Sequence, residues 1–141
     1  DFDIIPPGGA LGKRLYLRVT DLYPQNEKSA VLKTATIKEI ILEITKSRMG
    51  ATAVIDKKNC VVGIITDGDL RRMLEKNEHF EKLTAENIAN LDPKTISSNT
   101  MAVEALRIMQ ENDINQLIVL NNNAYAGMVH LHDLIREGII N

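Results

Sequence analysis

Apolar positions along this chain change period at regular places, and the changes outline its elements. Ile37, Ile40, Ile41 and Ile44 fall on one helical face, and Thr36 stands three residues before Glu39 as in a capping box, so a helix is predicted over 36–48. Met101, Ala105, Ile108 and Met109 form a second stripe of the same kind. Short runs rich in β-branched residues at 52–56 and 116–120 predict strands, followed by polar turns at Lys57-Lys58-Asn59 and Asn121-Asn122-Asn123. Second strands at 61–65 and 125–129 complete two hairpins. Segments 67–75 and 131–137 have helical composition, with Gly138 as a stop, and short strands are expected near Val31 and Thr95.

These elements form a repeat. Residues 36–72 align without a gap on 100–136, a constant shift of 64. Thr36, Leu42, Ile44, Asn59, Gly63, Asp69, Leu70 and Arg72 meet identical residues at Thr100, Leu106, Ile108, Asn123, Gly127, Asp133, Leu134 and Arg136. Each copy reads β-α-β-β-α, and a unit this small buries too little apolar surface alone. The fold class expected is therefore α+β, with two pseudo-symmetric units packed sheet to sheet. The units are expected at 19–80 and 81–141, joined by a polar stretch at 76–93 that ends in Asp92-Pro93 and holds a short helix around 85–89.

Composition narrows the function classes. With 44% apolar and 26% charged residues the chain has the balance of a globular domain, and no apolar run approaches the roughly 20 residues of a membrane helix. A net charge of −2 with mixed signs and only five aromatics argue against nucleic-acid partners. Cys60 is the single cysteine, which excludes an intrachain disulfide and fits a reducing cytoplasm. The start Asp1-Phe2-Asp3 has no basic leader, and a chain that begins without Met is expected to be processed or part of something longer.

The chemistry concentrates at the two strand-to-helix junctions, Gly63-Ile64-Ile65-Thr66-Asp67-Gly68-Asp69 and Gly127-Met128-Val129-His130-Leu131-His132-Asp133. Gly63 permits close backbone approach, Thr66 opens a helix whose amides favour an anion, and Asp69 can accept hydrogen bonds from both hydroxyls of a ribose. Thr66 and Asp69 can equally serve as a capping box alone, and a cap and a ligand can share them. His130 stands where the first copy has Thr66. It can meet an anion when protonated or serve as a structural hydrogen-bonding residue. His130 and His132 have no third ligand for a metal, and no nucleophile, base and orienting group stand together, so no metal, cofactor or catalytic residue is expected.

The tandem units and their junction motifs resemble a CBS pair, or Bateman module, over roughly residues 19–141. That resemblance implies a nucleotide held between the copies. It points to Gly63, Ile64, Thr66, Asp69 and Arg72 in the first copy, Gly127, His130 and Asp133 in the second, and Lys33, Thr34 and Thr52 nearby. Gly8-Gly9-Ala10-Leu11-Gly12-Lys13-Arg14-Leu15, Thr66-Asp67-Gly68-Asp69-Leu70-Arg71-Arg72 and Val129-His130-Leu131-His132-Asp133-Leu134 further resemble the arabinose 5-phosphate isomerase family. Those bacterial enzymes join a sugar isomerase (SIS) domain to a C-terminal CBS pair and feed the synthesis of Kdo, an acidic sugar of lipopolysaccharide.

On that resemblance residues 1–18 are the tail and linker of an upstream SIS domain, and Pro6 stands where the family has its active-site histidine. The function implied is cytoplasmic regulatory sensing of a nucleotide or nucleotide sugar, CMP-Kdo before an adenine nucleotide. The family also implies a homodimer through the CBS helices, with a tetramer possible in the full protein. The alternative is a dimerisation module whose ligand site is vestigial.

Overall fold

The computed structural model describes residues 16–139; the glycine-rich string at 8–15 and Pro6 lie outside them. The first unit runs β1 (Ala30–Leu32), α1 (Ile37–Ser47), β2 (Ala51–Ile55), β3 (Val61–Thr66) and α2 (Asp67–Lys76). After a short α3 (Ala85–Ile88), the second runs β4 (Thr95–Ser97), α4 (Ala102–Asn112), β5 (Gln116–Asn121), β6 (Ala124–His130) and α5 (Leu131–Arg136). Each sheet has three strands, the first pair parallel and the second antiparallel, in the order β1-β2-β3 and β4-β5-β6. The expected β-α-β-β-α pair is therefore present.

Local chemistry explains where the elements begin and turn. Thr36 and Glu39 form the capping box of α1: the Thr36 N–H donates to Glu39 Oε1 at 2.8 Å, and the Glu39 N–H to Thr36 Oγ1 at 3.2 Å. The two hairpins turn differently. In the first, only Asn59 is left-handed; in the second, both Asn122 and Asn123 are, as a two-residue type I′ turn requires. The tighter turn moves the second hairpin by one residue. Ile64 faces Ala53, whereas its counterpart Met128 faces Ile118 instead of Leu117.

Three apolar clusters lie among the described residues. One lies under each unit's helices, and the third, with Met49, Ala51, Ala53, Ile64, Ile118, Tyr125 and Met128, fills the space between the two sheets. Tyr125 pins that interface. It is 2% exposed, its hydroxyl donates to the Ser29 carbonyl at 2.5 Å, and its N–H donates to the Asn59 carbonyl at 3.0 Å. Burial, and secondarily the charge of Glu43, push the Tyr125 phenol well above its ordinary value, so it stays a donor.

The segment before each unit covers the other one. Leu17, Val19 and Leu22 belong to the core of the second unit, while Leu83, Ala85, Ile88 and Ala89 pack into the first. Backbone bonds fix both straps. Val19 donates to the Thr100 carbonyl at 2.8 Å, Ala102 to Leu17 at 2.8 Å, and Ala85 to Ala35 at 2.9 Å. The chain leaves each strap along the seam between the sheets, and that path delivers Asn26 and Asn90 to the two inter-unit clefts.

Candidate functional site

The first cleft begins at Gly63 in β3. The next residue, Ile64, exchanges both backbone hydrogen bonds with Asn90, at 2.9 and 3.0 Å. Contact is so close that a Cβ on Gly63 would lie 2.5 Å from the Asn90 carbonyl oxygen. Gly63→Ala is therefore expected to break the Ile64–Asn90 bridge and cost about 2 kcal/mol by overpacking, measurable by chemical denaturation; an unchanged midpoint would contradict it.

β3 ends at Thr66, which caps α2. The Thr66 N–H donates to Asp69 Oδ2 at 2.9 Å, its hydroxyl donates to the same oxygen at 3.1 Å, and the Asp69 N–H lies 3.3 Å from Thr66 Oγ1. Arg72 Nη2 donates to Asp69 Oδ1 at 2.6 Å. The Asp69 side chain remains 17% exposed. It opens on a cavity of about 200 Å³, walled on the far side by Asn90, Lys94, Ile114 and Gln116. The cleft continues past Thr66 and Gln116 into a hollow of about 410 Å³ bordered by Arg48, Asp67, Asn115, His130 and His132. A carboxylate with a hydroxyl at one end and basic side chains alongside suits recognition of a polar, anionic ligand.

The second cleft is built on the same plan and is closed. The His130 N–H donates to Asp133 Oδ2 at 2.8 Å and Arg136 Nη2 to Oδ1 at 2.7 Å, as at Asp69, but Asn26 Nδ2 also donates to Oδ2 at 2.8 Å. Only 3% of the Asp133 side chain is exposed. His130 Nδ1 accepts from the His132 N–H at 3.0 Å, so this ring does the capping that Thr66 does in the first copy.

The family model for the CBS domain matches residues 23–76 and 85–139. The chain belongs to the CBS domain family. Over nearly its whole length this CBS pair is also similar to arabinose 5-phosphate isomerase KdsD of Escherichia coli K12, with 36% identity over 141 residues, 99% of this chain and 43% of that protein. The Pseudomonas aeruginosa PAO1 protein of the same name is 36% identical over 142 residues, 99% of this chain and 44% of that one. The chain thus spans less than half the length of these relatives.

Solved structures share the fold. A CBS domain protein from Pyrobaculum aerophilum complexed with AMP superposes with a TM-score of 0.75 at 23% identity, covering 83% of this chain and 89% of that one. The CBS domain of a bacterial CNNM/CorC family Mg2+ transporter in complex with ATP gives 0.75 at 20% identity, covering 92% of each.

Within the CBS pair, Gly63, Ile64, Thr66, Asp69 and Arg72 come together at the open cleft. Gly127, His130 and Asp133 come together at the closed one. Thr52 is fully buried in β2, its hydroxyl 2.7 Å from Ser29 Oγ. Lys33 and Thr34 are elsewhere. Leu32 pairs with Ile55, whereas Thr66 pairs with Ala51 at the other end of β2, so the two lysine-side positions sit about 13 Å along the strand from the motif. They border a separate hollow of about 300 Å³ with Asp56 and Lys58. Asn90, Lys94, Ile114, Gln116 and Asn26 were not singled out by sequence reasoning. Extending the 64-residue shift upstream of Thr36 pairs Asn26 with Asn90, a signal that was available.

Burial lowers the His130 pKa below the ordinary value of 6.5, the nearby His132 adds to this, and Asp133 opposes it in part. The unfolded chain then binds more protons than the folded one just below pH 6.5, so stability is full above that pH and is lost as pH falls toward the lowered value. His130→Asn, which retains a capping side chain, is expected to show a smaller loss of Tm than wild type across that window. Parallel Tm–pH curves for the two proteins would contradict this.

Proposed function

We propose that this CBS pair senses a nucleotide or nucleotide sugar and regulates a cytoplasmic arabinose 5-phosphate isomerase of Kdo and lipopolysaccharide biosynthesis, to whose upstream SIS domain it is joined. The observation that carries this is the asymmetry of the clefts: Asp69 is accessible beside Arg72 and Lys94, while its counterpart Asp133 is enclosed. Two structural neighbours that hold AMP and ATP, and the relatives named as isomerases, support the same reading.

CMP-Kdo is the preferred ligand. Its ribose suits Asp69, and its phosphodiester and sugar carboxylate are two anionic groups for a groove that runs from Lys94 and Arg72 to Arg48. Regulation requires that the ligand bind two states of the whole protein with different affinity. Calorimetric titration with CMP-Kdo, CMP, AMP and ATP tests this, with heat and one ligand per chain expected for CMP-Kdo. Absence of heat with all four would overturn the sensing reading.

A second reading is an interaction module with a vestigial ligand site, forming a homodimer through its helices. It is favoured by Leu42 on α1, Leu74 on α2 and Ile135 on α5, which are 62%, 49% and 46% exposed. Sedimentation as a monomer at high concentration would count against it.

A further inference from the structure

β1 is the outer strand of the first sheet, and its far edge is open. Its hydrogen bonds to β2 leave from odd positions: Lys33 donates to the Ile55 carbonyl at 3.0 Å, and Ala53 donates to the Ser29 carbonyl at 3.3 Å. The intervening backbone groups of a strand point the other way, so the Ala30 N–H and C=O and the Leu32 N–H face away from β2. Among the described residues no strand or bridge meets them there. A hollow of about 320 Å³ runs along this edge, bordered by Ala30, Leu32, Thr34, Glu39 and Glu43. Leu32 is 44% exposed beside it.

The two ends of the edge carry opposite charge. Where the chain enters β1, Ser29 Oγ donates to Glu43 Oε2 at 3.0 Å, which brings a carboxylate of α1 to the strand. Among the described residues no ion pair includes Glu43. Where the chain leaves β1, Lys33, Lys57 and Lys58 gather. Asp56 is the carboxylate among them, and its Oδ1 already accepts from the Lys58 and Cys60 N–H groups at 2.8 and 3.0 Å. β4, the outer strand of the second sheet, leads instead into Ser98 and Asn99, and Glu104 on α4 is held by Arg107. The charged ends therefore belong to this edge and are not a requirement of the fold.

We propose that β1 pairs antiparallel with β1 of a second copy of this chain, joining their first sheets into one. An unpaired edge is a template for such pairing. A twofold axis at Val31 sets Ala30 opposite Leu32 of the second copy, the arrangement in which two residues exchange both backbone bonds, and the axis repeats the exchange. The Leu32 carbonyl accepts from the Ala35 N–H at 2.9 Å and has a second lone pair for the new bond. The same register sets Lys33 opposite Ser29, and with it Glu43. Ser29, Val31 and Lys33 alternate onto one face of the sheet, the face that α1 covers, so the ammonium and the carboxylate meet on the same side. A second copy supplies the reversed order of charge by symmetry, which an unrelated extended peptide does not. Leu42, Leu74 and Ile135 do not border this groove, so the pairing is separate from association through the helices, and it does not depend on the ligand.

The test is sedimentation velocity on the chain carrying Leu42→Glu and Leu74→Glu, which removes association through the helices. A concentration-dependent dimer is expected, and a monomer up to about 300 μM would overturn the proposal. Leu32→Pro deletes the outward N–H and leaves the bonds to β2 in place, and it is expected to weaken the dimer at least about tenfold. Lys33→Glu alone and Glu43→Lys alone are expected to do the same, because each sets like charges against each other twice across the axis. The double exchange is expected to restore association to within about threefold of the parent. Where proline lowers Tm, the charge exchange decides by itself, since its rescue does not depend on how β1 tolerates proline. A dimer indifferent to Leu32→Pro and to both reversals would overturn the pairing, and loss in the single reversals without recovery in the double would overturn its register.

Discussion

Replacing Asp133 by alanine is expected to lower the unfolding free energy by about 3 kcal/mol, the largest stability effect of any site residue. The carboxylate is enclosed, and it accepts from the His130 N–H, Asn26 Nδ2 and Arg136 Nη2 at 2.7 to 2.8 Å. Alanine leaves the His130 N–H and Asn26 Nδ2, both half-buried, without the enclosed acceptor they share, and each unmet buried donor costs about 1–3 kcal/mol. Arg136 is 54% exposed and regains water, so its loss adds little. A change of this size is a large share of the roughly 5–15 kcal/mol that holds a domain folded. Urea denaturation measures it, and a loss below about 1 kcal/mol would show that the closed cleft is not what the hydrogen-bond geometry makes of it.

The equivalent change in the first copy is expected to act on binding instead. Asp69→Ala removes the acceptor for ribose hydroxyls, and hydrogen bonds to a charged group contribute about 1.5–3 kcal/mol, so ligand affinity is expected to fall roughly 10- to 100-fold. The stability cost is smaller than at Asp133. The donors left behind are Thr66, half-buried at a helix start, and Arg72, 60% exposed, and both can turn to water. What remains is the loss of one half of a capping box, about 1 kcal/mol. Calorimetry and denaturation on the same preparation separate the two effects. Unchanged affinity would confine Asp69 to capping α2, the alternative that its spacing from Thr66 leaves open.

Much of this was legible because it is local. The helix at α1 follows from a four-isoleucine stripe and the Thr36–Glu39 spacing, and the capping geometry is the one that spacing requires. The Thr66–Asp69 junction is local in the same sense, since three residues span its hydrogen bonds. A constant shift of 64 likewise made the pair of sheets readable before any contact was known.

What stayed hidden depends on partners distant in sequence. Lys33 and Thr34 are near the motif only if β1 runs toward its end of the sheet; parallel pairing of β1 with β2 carries them to the other end. The exchange of straps, with Leu17 and Val19 on the second unit and Leu83 and Ala85 on the first, is a choice between equally apolar surfaces that periodicity does not make. Nothing in the residues beside Asn26 points to Asp133, 107 positions away, and its role appears only when that carboxylate is brought to it. His130 pointed to asymmetry between the copies, and the structure adds the second half: the hydroxyl lost at position 130 is replaced by an amide from the strap.

One open cleft per chain is the central claim, and backbone amide chemical-shift mapping during titration with CMP-Kdo tests it most directly. The expected result is saturation at one ligand per chain, with the largest shifts at Ile64, Thr66, Asp69, Asn90 and Gln116, and with Asn26 and Asp133 unmoved. Large shifts at Asn26 and Asp133 with Thr66 and Asp69 unmoved would contradict it.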